Sequence, residues 1–174
     1  ATDAFGDVPL SDALKGKDFV NPNYEGQEVV YDSIFTFIDK GKALLKATGA
    51  SGVSSQDMIF GGDLTQWEAF ANTLALRAYL RLSEVDATKA AAGIKALYAG
   101  NAKFLTDDAS ITYTTTGGNE NPLYNEMVGL GKTQNMVASS TAVTAFTKNN
   151  DPRLLAFYDI PLDSAHVVAI PQGS

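Results

Sequence analysis

Cysteine is absent from the 174 residues. No disulfide framework and no thiolate metal site can form, and the absence is compatible with an oxidising compartment without requiring one. Histidine occurs once, at His166. A Ser-His-Asp arrangement would have to be assembled around that single imidazole, so a surface or partly packed histidine is preferred. HExxH, Walker and GxGxxG patterns are missing. No secretory signal pattern is visible, and the longest apolar stretch is broken by Arg77 and Arg81, too short to span a bilayer. Basic residues are scarce: 13 Lys and Arg against 20 Asp and Glu, a net charge of −7. Nucleic acid needs a basic footprint, and charge alone would not hold this chain on an anionic membrane.

What is present is globular in composition, with 45% apolar and 19% charged residues, and the length suits one ordinary core. The most informative stretch starts at Gly61-Gly62-Asp63 and runs through Trp67, Phe70 and Leu74 to Leu82. The glycines break what precedes. Asp63 can cap a helix, and Gln66 three residues on can reach back to it. An anion at this terminus would be repelled by Asp63 itself. Trp67, Phe70, Ala71, Leu74 and Ala78 then share one helical face, while Leu76 and Leu80 lie on nearly the opposite one. A helix apolar on two sides is packed on two sides, as in a stack of helices.

The rest of the chain surrounds that rod. Residues 1–26 read as irregular, with a short helical turn at 11–15. Residues 27–47 form a helix with Val30, Ile34, Phe37, Ile38 and Leu45 inward, and Gly41 marks a close approach of another backbone. Residues 48–55 are a loop by composition. A third helix spans 87–99, capped by Asp86 and closed by Gly100, with Ala90, Ile94, Leu97 and Tyr98 inward. Its short link to the preceding helix predicts an antiparallel pair. Residues 111–116 are β-branched, and Gly117-Gly118-Asn119 signals a turn. A further helix is expected over 135–148, with Met136, Ser140, Val143 and Phe146 inward, and a short one from Asp151-Pro152.

Four segments carry a family resemblance. GGDLTQWEAFANTLALRAYLRLS (61–83) is similar to the signature helix of the SusD/RagB-like proteins, surface glycan-binding lipoproteins of Bacteroidetes. FGDVPLSDAL (5–14), NPNYEGQEVVYDSIFTFID (21–39) and NNDPRLLAFY (149–158) resemble further segments of that family, in its order. The resemblance implies a mainly α fold: a tetratricopeptide-like array of antiparallel helix pairs with long loops and minor β structure, here an internal fragment of a larger SusD-like protein. It also implies an oligosaccharide-binding protein at the outer-membrane surface that delivers its ligand to a SusC-like TonB-dependent transporter. No cofactor and no catalysis are expected, and the membrane is reached only through a lipid anchor outside this chain. A helical interaction scaffold and a glycan-cleaving helical enzyme are the other classes.

The residues themselves point to one loop for binding. Tyr113, Asn119, Glu120, Asn121 and Tyr124 combine aromatic faces with planar amides and a carboxylate, the chemistry that holds sugar rings and vicinal hydroxyls. The alternative is an Asn- and Gly-rich turn with Tyr124 packed down. Trp67 is read as core, in register with Phe70 and Leu74, rather than as a sugar platform. Arg77 and Arg81 are expected to pair with carboxylates, among them Asp32, Asp39 or Asp151. Asp107 and Asp108 could hold calcium with Asn101, and with Glu120 and Glu126 they are the acidic candidates for glycosidase chemistry. A solvated loop is the preferred reading of 107–108.

Overall fold

Asp63 and Asp86 fix where the two central helices begin. The Asp63 carboxylate accepts from the amides of Thr65 and Gln66, and Asp86 accepts from Lys89. Each satisfies donors that a helix start leaves unpaired. The reciprocal bond from Gln66 does not form, because the Asp63 amide donates to the Phe60 carbonyl at 3.1 Å instead. The computed structural model describes residues 1–132 and 137–173. They form two compact units, 1–112 and 113–174.

In the first unit, α1 (Thr2–Phe5), β1 (Val8–Pro9) and β2 (Tyr24–Glu25) precede three long helices. These are α2 (Gln27–Leu45), α3 (Leu64–Arg81) and α4 (Ala87–Ala99). Helix α3 packs on α2 and on α4, so it is the middle layer of an antiparallel helical stack. The fold is mainly α, in the tetratricopeptide-like manner, and among the described residues the strands are two residues long.

The residues that make the layers differ from the large apolar ones. Ala69, Asn72, Ala75 and Ala78 are the buried positions of α3, with Leu82 just beyond its end. Helix axes approach closely where side chains are small, so the contact line is built of alanines. Leu80 is 56% exposed and Leu74 lies out as well, on the side of α3 that carries Arg77 and Arg81. Leu76 is half-buried. On α2, Val30 is buried as the periodicity predicts, but Tyr31 is buried too, and Phe37 is 61% exposed. Gly41 has nothing close to it, so no backbone packs there. On α4, Ala90 is buried and Ile94 and Leu97 half-buried. Tyr98 turns outward, its ring 5.5 Å from that of Phe104.

Polar bonds tie the flanking segments down. Glu25 accepts from the amides of Leu10 and Ser11 and from the Ser11 hydroxyl. The Ser11 bonds, the hydroxyl first, hold its carboxyl below the usual range. This pins the first residues over the start of α2, while 11–15 forms only a turn and the 3₁₀ helix follows at Gly16–Phe19. After α4 the chain returns along α3: Asn72 Nδ2 donates to the Lys103 carbonyl at 2.9 Å, and Leu105 N donates to Thr73 Oγ1 at 3.0 Å.

The turn into α3 is closed where the Gly62 backbone packs against Gly52 and Ser54. Gly62 has φ 88°, and a Cβ there would lie 2.6 Å from Ser54 N, whereas Gly61 has open space around it. Both positions resist L side chains. Gly62→Ala is expected to lower the melting temperature clearly more than Gly61→Ala, because only the former adds a backbone clash. Equal losses in thermal denaturation would remove that account.

The second unit holds α5 (Pro122–Tyr124), a π-helical turn at Asn125–Gly129, β3 (Ala138–Ser139), α6 (Ser140–Lys148), α7 (Leu154–Phe157) and β4 (Ala169–Ile170). Strands β3 and β4 pair in parallel, Ala138 with Ala169. The expected β-branched stretch 111–116 forms no strand: it lacks a partner, and Thr114 N closes a turn on the Asn119 carbonyl instead. Helix α6 starts at Ser140, and the expected residues Asn135 and Met136 lie outside the described ones. Ser140, Val143 and Phe146 are half-buried. The Phe146 ring meets Phe157 at 6.0 Å and Tyr158 at 6.5 Å. Pro152 sits in the turn before α7, whose first helical residue is Leu154.

Candidate functional site

The loop of the second unit is a sequence of small, self-satisfied turns. Asn119 Nδ2 donates to Thr114 Oγ1 at 3.2 Å. Glu120 accepts from the Gly118 amide at 3.0 Å. Asn121 Oδ1 accepts from the Tyr124 amide at 3.0 Å, capping the turn that Pro122 opens. Asn119 thus spends its NH₂ on a threonine hydroxyl, Glu120 and Asn121 each spend one oxygen on a backbone amide, and each of the three keeps a further polar atom. Tyr113 is 40% exposed and Tyr124 58% exposed. The structure brings Asn119 and Glu120 together around one turn, and Asn121 and Tyr124 around the next. Among the described residues no ring contact joins Tyr113 to Tyr124. The π-helical turn that follows is a rare element.

Trp67 is held as a structural residue. Its Nε1 donates to Asp57 Oδ2 at 2.7 Å, and its ring meets Phe60 edge-on at 5.0 Å and Phe70 at 5.7 Å. Asp57 also accepts from the amides of Ile59 (3.0 Å), Phe60 (3.2 Å) and Gly62 (2.8 Å). Burial pushes this carboxyl up, but the four N–H donors, Trp67 first, outweigh it and bring it down to about 2. Sequence reasoning missed Asp57. The only signal was its place six residues before the capping Asp63.

The expected arginine pairs are rearranged. Arg81 pairs with Asp3 of α1, and Asp3 Oδ1 also accepts from Tyr31 Oη at 2.6 Å. Asp32 pairs with Lys89. Asp151 is taken by its neighbour Arg153, whose Nη2 lies 2.5 Å away. Those bonds hold the Asp151 carboxyl at about 2. Arg77 is exposed and makes no ion pair among the described residues. Only the Asp151–Arg153 pair joins near neighbours, which need no loop to be closed; the other two pairs are brought together by the packing of the helices.

His166 is exposed, and its backbone, not its imidazole, bonds Ser164 Oγ. Asp107 and Asp108 are exposed as well. Among the described residues, no three His, Asp or Glu side chains gather in a group able to hold a metal. Among the described residues, no helix is long and apolar enough to cross a membrane.

The SusD-like family described as "Starch-binding associating with outer membrane" matches residues 1–171. The chain belongs to this SusD-like family. A SusD homolog from Bacteroides vulgatus is 30% identical, with a TM-score of 0.67, over 99% of this chain and 35% of that one. A chitin-binding SusD homolog from Flavobacterium johnsoniae is 25% identical, with a TM-score of 0.66, over 95% of this chain and 34% of that one. A protein described as chitin-binding is 31% identical, with a TM-score of 0.60, over 88% of this chain and 32% of that one. No curated protein matches. The chain therefore spans about a third of the length of the SusD-like structures it resembles.

Proposed function

We propose that this SusD-like chain binds oligosaccharide through the loop of its second unit, without making or breaking a bond. The observation that carries the reading is the exposure of Tyr113 and Tyr124 beside amide and carboxylate groups with unspent hydrogen-bonding capacity. An aromatic face matches the C–H face of a pyranose, and planar polar groups match vicinal hydroxyls. A loop between helices gives such groups a rigid support. The chitin-binding relatives and the family description support a glycan as ligand. In the same reading, the protein is a lipoprotein on the outer-membrane surface. Its helical stack meets a SusC-like TonB-dependent transporter and hands the glycan over.

Calorimetric titration with starch- and chitin-derived oligosaccharides tests this. Replacing Tyr113 and Tyr124 together by Ala is expected to weaken binding by roughly tenfold or more, since stacking faces carry most of such contacts. The circular dichroism spectrum should stay unchanged. Affinity equal to that of the parent chain would refute the site. Release of new reducing ends would refute the absence of catalysis.

A further inference from the structure

A cleft lies in the first unit, where the start of α2, the α3–α4 turn and α1 come together. It encloses about 670 Å³, within the range of small-molecule sites. Its walls are fixed without any ligand. Tyr31 Oη bonds Asp3, Arg81 pairs with Asp3, and Gln27 Nε2 donates to the Thr2 carbonyl at 2.9 Å. Asp86 uses one carboxylate oxygen to cap α4.

The chemistry of the lining narrows the ligand. Asp3, Glu28 and Asp86 stand against Arg81 and Lys89. Arg81 is already paired with Asp3, and Lys89 with Asp32. Cations so compensated have little attraction left for phosphate or a uronate, and the remaining carboxylates repel both. Yet the groups keep hydrogen-bonding capacity: the unused N–H groups of Arg81 and Lys89 donate, and the Glu28 carboxylate and Gln27 Oε1 accept. A neutral polyol donates and accepts at every hydroxyl, so it uses both kinds. Leu82, Val85 and Tyr31 supply the apolar part of the lining. Val85 is 80% exposed at the rim, where a sugar's C–H face would cover it.

We infer that this cleft is a second saccharide site, for a short neutral oligosaccharide, separate from the loop of the second unit. The inference rests on the proposed glycan-binding reading. It gives one chain two points of attachment, so a long glycan can be held with greater avidity than by either point alone.

The test is amide chemical-shift mapping of the whole 174-residue chain titrated with chitotetraose, then maltotetraose. Two variants separate the sites: Tyr113→Ala with Tyr124→Ala, and Val85→Arg with Glu28→Lys. The latter pair lies on exposed positions, so the fold should survive, which Trp67 emission checks. With at least one of the sugars, amides of Glu28, Val85, Asp86 and Lys89 are expected to shift in the parent chain and still shift in the tyrosine variant. In the Val85/Glu28 variant those shifts should vanish, with the cleft's affinity down about tenfold. Shifts confined to the loop, with the cleft silent at saturation, would overturn this inference and leave the proposed function standing. Silence at both sites would overturn both. Cleft shifts that persist undiminished in the Val85/Glu28 variant would also overturn it.

Discussion

Asp57→Asn is expected to open the turn before α3 and to shift the emission of the chain's one tryptophan to the red. In the parent protein two carboxylate oxygens receive four N–H groups: the amides of Ile59 and Phe60 on Oδ1, and Gly62 N and Trp67 Nε1 on Oδ2. Asparagine offers one oxygen and one NH₂. Whichever way the amide is turned, two donors face a donor. Losing them frees Trp67 from Phe60 and lets water into the aromatic cluster of Phe60, Trp67 and Phe70. The melting temperature should fall by roughly 5 °C or more, as for the loss of a bond set that joins two segments.

The same site sets an acid limit. The carboxyl titrates at about 2 in the folded chain, against roughly 3.9 when unfolded. The unfolded chain therefore takes up the proton first. The stabilisation is complete above about pH 4 and is lost as pH falls through about 2. Trp67 emission should follow that loss in the parent and stay flat between these values in Asp57→Asn. The Asp151–Arg153 pair titrates in the same window, but it sits in the second unit, so local tryptophan emission isolates Asp57. An Asp57→Asn protein with parental emission and melting temperature would sink this account.

How much could be seen beforehand depended on the range of the interaction. The helices α3 and α4 were legible because their signals are local: Asp63 and Asp86 cap them, and glycines flank them. The two-sided packing of α3 was legible in principle but not in its residues. Hydropathy weights Leu74 and Leu80, whereas the closest approach of the axes selects Ala69, Ala75 and Ala78. Tyr31 lies outside the apolar periodicity of α2, and the Asp3 carboxylate that satisfies its hydroxyl comes from twenty-eight positions away. The Arg81–Asp3 and Lys89–Asp32 pairs join distant segments, and no spacing announces such pairs. The β-branched run 111–116 carried a propensity without a partner, while Ala138–Ser139 found a partner without a propensity. In the candidate loop of the second unit the turn at Gly117-Gly118-Asn119 and the cap at Asn121 were readable from side-chain chemistry. The exposure of Tyr113 and Tyr124 was not, because it depends on how the rest of the second unit packs.

Gly93→Val is expected to separate α4 from α3 and to cost about 3 kcal/mol, the upper range for overpacking a filled core. A Cβ at Gly93 would lie 2.2 Å from Cε1 and Cζ of Tyr79. An exposed tyrosine ring would swing aside. This one cannot, because its other face is stacked on Phe35, with ring centroids 4.2 Å apart and planes 17° from parallel. Tyr79 therefore stands between α2 and α4 as the filled layer of the stack, and Gly93 is the space that admits it. Alanine at an ordinary helix interior position would gain about 1 kcal/mol over glycine, so a loss on Gly93→Ala as well would mark the ring contact rather than propensity. The decisive measurement is a double-mutant cycle by chemical denaturation. Tyr79→Leu removes the ring, so Gly93→Ala should cost much less in that background, with a coupling of about 1 kcal/mol or more. Additive losses would mean that the ring and the glycine do not meet, and α3 would lose its place as the middle layer.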